Sequence, residues 1–321
     1  MTQAPRRSVA ELFDAAAAGD RPALARLLSL IERGGAEARE IGHLAAPRSG
    51  TAYTVGITGA PGSGKSTLTS AIVGHVRSTD DSIAVLAIDP TSPFTGGAIL
   101  GDRVRMQDHA TDPGVFIRSM ATRGHLGGLA LATPEAVRLL DALGRRLILI
   151  ETVGVGQVEV EVAGKADTTV VVVNPGWGDS VQANKAGLME VADVFVINKD
   201  DRVGADETRR DLVQMLDLSA ATEWRPPIVT TVATTGEGIG ELWAAVDAHR
   251  THAATSGRLE QRRTARLRDE LAEIVARRLG EQARELCGEQ RWAELTDAVL
   301  ARQLDPWAAA DEMLGPLLSA R

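Results

Sequence analysis

The chain has 321 residues with 35 basic and 43 acidic side chains, a formal charge of −8, and that acidic balance argues against a nucleic-acid backbone as its general partner. Aromatic residues make up 3% and Cys287 is the one cysteine, which leaves little for stacking single-stranded bases and excludes an intramolecular disulfide or a thiolate metal cluster. The length suits one α/β unit with appendages; no apolar run approaches the ~20 residues of a membrane span and no apolar segment follows the N-terminal arginines, so a reducing cytoplasm is the expected location, without membrane or nucleic acid as partner.

Residues 1–50 read as a helical extension. Ser8-Val-Ala-Glu11 fits a capping box, and Leu12, Phe13, Ala16 and Ala17 follow at helical spacing. Asp20 stands as N-cap of a second helix carrying Leu24, Leu27, Leu28 and Ile31, which Gly34-Gly35 is expected to end. A packed helical hairpin is the expectation.

Residues 51–252 alternate strand and helix. Tyr53–Thr58, Ile83–Asp89, Leu147–Glu151, Thr169–Asn174, Val194–Asn198 and Ile228–Val232 are short runs rich in Val and Ile, suited to strands buried on both faces. Helical stretches such as Ser66–Arg77, Pro134–Leu143 and Val181–Val191 lie between them. The pattern predicts an α/β fold with a doubly wound, mostly parallel sheet and ligands at the C-terminal ends of its strands.

Residues 253–321 form a third segment, a helical arm. Across 257–303, Leu259, Leu267, Leu271, Ile274, Val275, Leu279 and Leu286 recur every few positions, the stripe of a long amphipathic helix with an expected break near Gly280. That stripe either folds onto the sheet domain or pairs with a second copy. From Trp292 to Leu318 a shorter helical cap is expected, punctuated by Pro306 and Pro316.

Two motifs in the middle segment describe one nucleotide. Gly59-Ala60-Pro61-Gly62-Ser63-Gly64-Lys65-Ser66 fits GxxxxGK[ST] and sits where a strand gives way to a helix. Glycines let peptide N–H groups turn onto phosphates, and the helix N-terminus adds its dipole. Lys65 would bridge the β- and γ-phosphates, Ser66 would ligate Mg²⁺, and Thr67 follows at the same helix start. Asn198-Lys199-Asp200-Asp201 fits NKxD after another strand. Asp201 can accept from guanine N1–H and the exocyclic amine together, a pair of donors that adenine lacks. Leaving that carboxylate unpaired costs about 2–5 kcal/mol, or ~10²-fold or more in discrimination. Asn198 would bond the other edge of the base and the Lys199 stem would lie on its face. The Ala233 N–H, in Val232-Ala-Thr-Thr-Gly-Glu-Gly238, would approach guanine O6, with Val232 where many GTPases have serine.

Three acids stand where Mg²⁺ and a γ-phosphate would be read: Asp89 at a strand end, Asp102 in a glycine-rich stretch, and Glu151 in Glu151-Thr-Val-Gly154. The last is a DxxG-like switch with Glu for Asp, and the Gly154 N–H is the natural γ-phosphate sensor. Loops 154–165 and 176–187, with Gln157, Asp179, Gln182 and Lys185, are of a kind that orders on γ-phosphate and relaxes after hydrolysis. Spacing alone picks out no hydrolytic Arg or Gln, so slow intrinsic turnover is expected.

Taken together, Gly59–Ser66, Asp89-Pro-Thr-Ser-Pro, Gly96-Gly-Ala-Ile-Leu-Gly-Asp-Arg-Val-Arg-Met106, Glu151-Thr-Val-Gly-Val-Gly-Gln157, Asn174-Pro-Gly-x-Gly-Asp179 and Asn198-Lys-x-Asp201 resemble the MeaB/ArgK family over about residues 50–245. The resemblance implies a P-loop GTPase that binds GTP or GDP with Mg²⁺, hydrolyses GTP slowly, forms a homodimer through its C-terminal arm, and acts as chaperone of an adenosylcobalamin-dependent methylmalonyl-CoA mutase. It also implies that Asp89, Asp102 and Glu151 surround the metal with Ser66. Gln157 then lies in a switch and Lys185 in a loop facing the partner. Lys65, Glu151, Gln157 and Asp102 are accordingly the catalytic candidates. Two rival classes stand beside this one. A metallochaperone GTPase would want a metal store, and the six histidines are scattered beside one cysteine. A small-molecule P-loop kinase would need an acceptor site and has no use for NKxD.

Overall fold

A computed structural model describes residues 7–89, 109, 111–121, 126–152, 165–176, 190–218 and 223–319. The chain divides into two compact units, residues 1–263 and 264–321.

The first unit is built on strands β1 (Tyr53–Gly59), β2 (Ile83–Asp89), β3 (Val115–Ala121), β4 (Leu147–Thr152), β5 (Thr168–Val173), β6 (Val194–Asn198) and β7 (Ile228–Thr231). All pair in parallel, in the order β3-β2-β4-β1-β5-β6-β7. Alternation along β2 shows why the sheet needs cover on both sides. Ala84, Leu86 and Ile88 join one apolar cluster, Ile83 and Val85 another.

On the first face lie α1 (Val9–Ala17), α2 (Arg21–Arg33), α3 (Gly35–Ala45) and α5 (Leu126–Ala142). On the other lie α4 (Lys65–Arg77) and α7 (Ile239–Thr255), while α6 (Ala205–Leu218) covers β5 and β6. The Ser8 capping box is present, and Asp20 caps α2. The expected N-terminal hairpin gains a third helix. As expected, α2 ends at the glycine pair, with Gly34 (φ 73°) as its C-cap; the same residue is also the N-cap of α3. Strand β3 was not expected. Its Arg118 and Ser119 interrupt the apolar pattern, because Arg118 reaches across to Glu32 (2.8 Å) and Ser29 (3.0 Å) of α2.

Helix α8 (Arg258–Cys287) starts in the first unit and runs on into the second. It passes Gly280 unbroken; the break falls at Gly288 (φ 79°), where α9 (Glu289–Leu300) begins. Propagating a helix through one glycine costs about 1 kcal/mol, which a helix of 30 residues easily carries. The expected single cap is two helices, α9 and α10 (Pro306–Ser319), tied by Arg291 and Glu312 at 2.5 Å. Pro306 opens α10, and the Asp305 carboxylate accepts from the N–H groups of Trp307 and Ala308. Along α8, Leu267, Leu271, Val275 and Leu279 are exposed at four-residue spacing. None of the described helices is long and apolar enough to cross a membrane.

Candidate nucleotide-binding site

Both nucleotide motifs lie at the C-terminal end of the sheet, where β1, β4, β5 and β6 finish. Strand β1 delivers Gly59 into the turn that α4 leaves at Lys65. Gly59 cannot be another residue, since a Cβ there would sit 2.0 Å from the Val172 carbonyl oxygen of β5. Gly64 is fixed from the opposite side. At φ 92°, its Cβ would lie 2.4 Å from Nδ2 of Asn198. The tight turn is therefore shaped by β5 beneath it and by the NKxD segment beside it.

Lys65 is buried, and its Nζ donates to the carbonyls of Gly59 (2.6 Å) and Ala60 (3.1 Å). Ser66, one residue on, donates from Oγ to Oε1 of Glu151 at 2.6 Å. Glu151, the last residue but one of β4 and 1% exposed, is in register with Ile57 of β1 and Ala87 of β2. Ser63 is fully buried and its Oγ has no hydrogen-bond partner among the described residues.

The second motif closes on the first. Asn198 donates from Nδ2 to the Ser63 carbonyl at 2.9 Å, and its Oδ1 accepts from the Ala233 N–H and the Thr231 hydroxyl, both at 3.2 Å. Lys199, held at φ 64°, donates from Nζ to the Gly62 carbonyl at 2.6 Å. A left-handed lysine is strained backbone, and the turn closed by Arg202 N–H on the Lys199 carbonyl (2.9 Å) sustains it. Asp201 is exposed in that turn.

Hydrogen bonds thus join the phosphate loop to Asn198 and Lys199, Asn198 to Ala233, and Ser66 to Glu151, at the C-terminal ends of the strands, and Asp201 follows in the Lys199 turn. The backbone of Asp89 ends β2 on the same side of the sheet. Its side chain, and Asp102, Gly154, Gln157, Asp179, Gln182, Lys185 and most of the expected 181–191 helix, lie outside the described residues. Thr231 was missed by the motif reading, although its place two residues before Ala233 could have flagged it. Val232, where the usual serine is absent, contributes main chain: its N–H donates to Glu237 and its carbonyl accepts from Thr235 and Gly236.

The parallel sheet, with its glycine loop leading into a helix, defines a P-loop GTPase. A family model described as "Methylmalonyl Co-A mutase-associated GTPase MeaB" matches residues 24–287. The chain belongs to this family. A protein of Pyrococcus abyssi described as a GTPase is 50% identical over 312 residues, covering 96% of each chain. GTPase ArgK of Escherichia coli is 39% identical with 76% of each chain covered. The mitochondrial methylmalonic aciduria type A homolog of Mus musculus is 34% identical, covering 80% of this chain and 67% of its own. A solved structure described as an LAO/AO transport system kinase superposes with a TM-score of 0.71 at 26% identity, covering 99% of this chain and all of that one.

Proposed function

We propose that this GTPase binds and slowly hydrolyses GTP as a chaperone of an adenosylcobalamin-dependent methylmalonyl-CoA mutase, gating cofactor loading and protection. The contact of Asn198 and Lys199 with the phosphate loop carries the nucleotide part, because it sets base-reading and phosphate-holding groups along one crevice. The family description and the mouse relative's name support the choice of partner.

The residues present fit the nucleotide. The turn of the phosphate loop has no room for a Cβ at Gly59 or Gly64, and the buried Ser63 hydroxyl has no hydrogen-bond partner among the described residues. In this reading Lys65 exchanges the Gly59 and Ala60 carbonyls for phosphate oxygens, and the N–H groups of residues 62–67 hold the β-phosphate. Asp201 takes the guanine donors, Asn198 and the Ala233 N–H take the other edge, and the Lys199 stem covers one face. Ser66 and Glu151 place two hard oxygens within 2.6 Å of each other. That is the donor chemistry Mg²⁺ accepts, so these two would hold the ion, with Asp89 and Asp102 in its surroundings. When bound, Mg²⁺ supplies charge neutralisation across the phosphates. Gly154 would sense the γ-phosphate and Gln157 would move with a switch.

The three segments 1–50, 51–252 and 253–321 are proposed as extension, GTPase domain and arm. The exposed face of Leu267, Leu271, Val275 and Leu279 supports self-association of the arm as a homodimer. The deciding experiment is GTP turnover with and without a purified adenosylcobalamin-dependent mutase. Several-fold stimulation with co-elution is expected; unchanged turnover and separate elution would remove the chaperone reading while leaving the GTPase intact.

A further inference from the structure

The turn that leads into β3, Asp112-Pro113-Gly114-Val115, draws arginines from three separate elements to the N-terminal end of the sheet, opposite the nucleotide motifs. Arg77 ends α4, Arg21 opens α2, and Arg145 lies between α5 and β4. Arg77 is matched by acids: its Nε donates to Asp112 Oδ2 at 2.8 Å and its Nη2 to Asp80 Oδ1 at 3.2 Å. The other two meet neutral groups. Arg21 donates to the main-chain carbonyls of Asp112 (3.1 Å) and Val115 (2.9 Å), and Arg145 Nη1 donates to the Gly114 carbonyl at 3.4 Å. We propose that Arg21 and Arg145 form a binding site for a phosphate-class oxyanion, separate from the nucleotide site.

The two guanidiniums share one turn and both are half-buried. Two cations so placed repel, and water screens them less than it would on an open surface. Burial, and then the Arg21 charge beside it, hold the Arg145 guanidinium below its ordinary value. A purely structural arginine here would be expected to meet a carboxylate, yet the acids nearest in the chain are engaged elsewhere. Asp20, beside Arg21, accepts from the Ala23 N–H and from Arg7. Asp112 of the turn accepts from Arg77 and the Gly114 N–H. Asp141, ahead of Arg145, accepts from the N–H groups of Gly50, Thr51 and Ala52.

The donor chemistry selects the ligand class. A guanidinium offers five N–H groups in a fixed fork, and Arg145 commits one of them, over a long bond, among the described residues. A carbonyl oxygen brings no charge to the pair. A tetrahedral oxyanion brings up to two negative charges and enough oxygens to accept from both forks at once, which turns the repulsion between Arg21 and Arg145 into a shared attraction. A planar carboxylate has two oxygens and is matched by one fork alone.

The test follows the phosphorus-31 line width of inorganic phosphate at constant ionic strength, with the nucleotide site kept filled by GDP and Mg²⁺. Wild type should broaden the line saturably. Arg145→Gln should weaken that binding by about tenfold or more, and Arg145→Lys, which keeps the charge, should stay closer to wild type. Competition with glycerol 3-phosphate separates two sources of the same chemistry: displacement assigns the site to ester-borne phosphate, and its failure assigns the site to the free oxyanion. Without phosphate, Arg145→Gln should unfold at the wild-type temperature or slightly above it, because the change removes a repulsion and one long bond. No saturable broadening, equal broadening by wild type and Arg145→Gln, or a drop of several degrees in the unfolding of Arg145→Gln would each overturn the site, the last by showing that Arg145 is held by a structural partner.

Discussion

At the C-terminal ends of the strands, Lys65 and Lys199 reach the carbonyls of Gly59, Ala60 and Gly62. At the N-terminal ends, Arg262 and Arg263 grip the carboxylates of Asp193 and Asp167 in paired bonds of 2.7–3.1 Å. One sheet carries both sets, and they differ in what they can give up. A lysine bonded to a neutral carbonyl gains by exchanging it for phosphate oxygen. An arginine paired with a buried carboxylate cannot leave without stranding that charge. The first end is arranged for exchange with a ligand and the second for holding the chain to itself.

Breaking the exchangeable end should have the largest effect. Lys65→Ala should lower GTP turnover by about 10²–10³-fold or more with the thermal unfolding transition unchanged; wild-type hydrolysis would mean that the phosphate loop is misread. At the other end, Arg263→Ala leaves Asp167, 1% exposed, without its paired guanidinium. Urea unfolding should report a loss of about 2–3 kcal/mol, smaller than for a fully buried pair because Arg263 keeps partial access to water. GDP affinity should be untouched, and a parallel loss of affinity would erase the contrast between the ends.

Asp201→Asn should reduce the preference for guanine over adenine nucleotides by ~10²-fold, read by competition binding. Gly64→Ala combines a disfavoured φ of 92° with a Cβ 2.4 Å from Asn198 Nδ2; about tenfold weaker GDP binding is expected. The smallest effect concerns acid. Because the Asp193 carboxyl is held below its ordinary value, its contribution to stability is present above about pH 4 and disappears as pH falls through the folded-state value. Asp193→Asn should flatten that acid limb in a series of urea midpoints, and an unchanged limb would place the acid sensitivity elsewhere.

What could be read from sequence was what is local. The strands ending at Gly59, Asn198 and Asp89 announce themselves by apolar runs, and both nucleotide motifs are contiguous. That the motifs touch rests on two contacts, Asn198 to Ser63 and Lys199 to Gly62, spanning a separation no pattern encodes. Strand β3 was illegible because Arg118 answers to Glu32 on α2 rather than to its neighbours in sequence. The Gly280 break was misjudged because one glycine in a thirty-residue helix is tolerated, whereas Gly288 at φ 79° turns the chain. The ion pairs at the N-terminal end were invisible, since Asp167, Asp193 and the Arg262-Arg263 pair come from separate stretches.

Isothermal titration of the purified protein with GDP and with ADP, in Mg²⁺ buffer, bears most directly on the shared crevice. GDP should bind ~10²-fold or more tightly than ADP, with the advantage vanishing in Asp201→Asn. Equal affinities in the wild type would show that the NKxD turn, although it touches the phosphate loop, does not select the base.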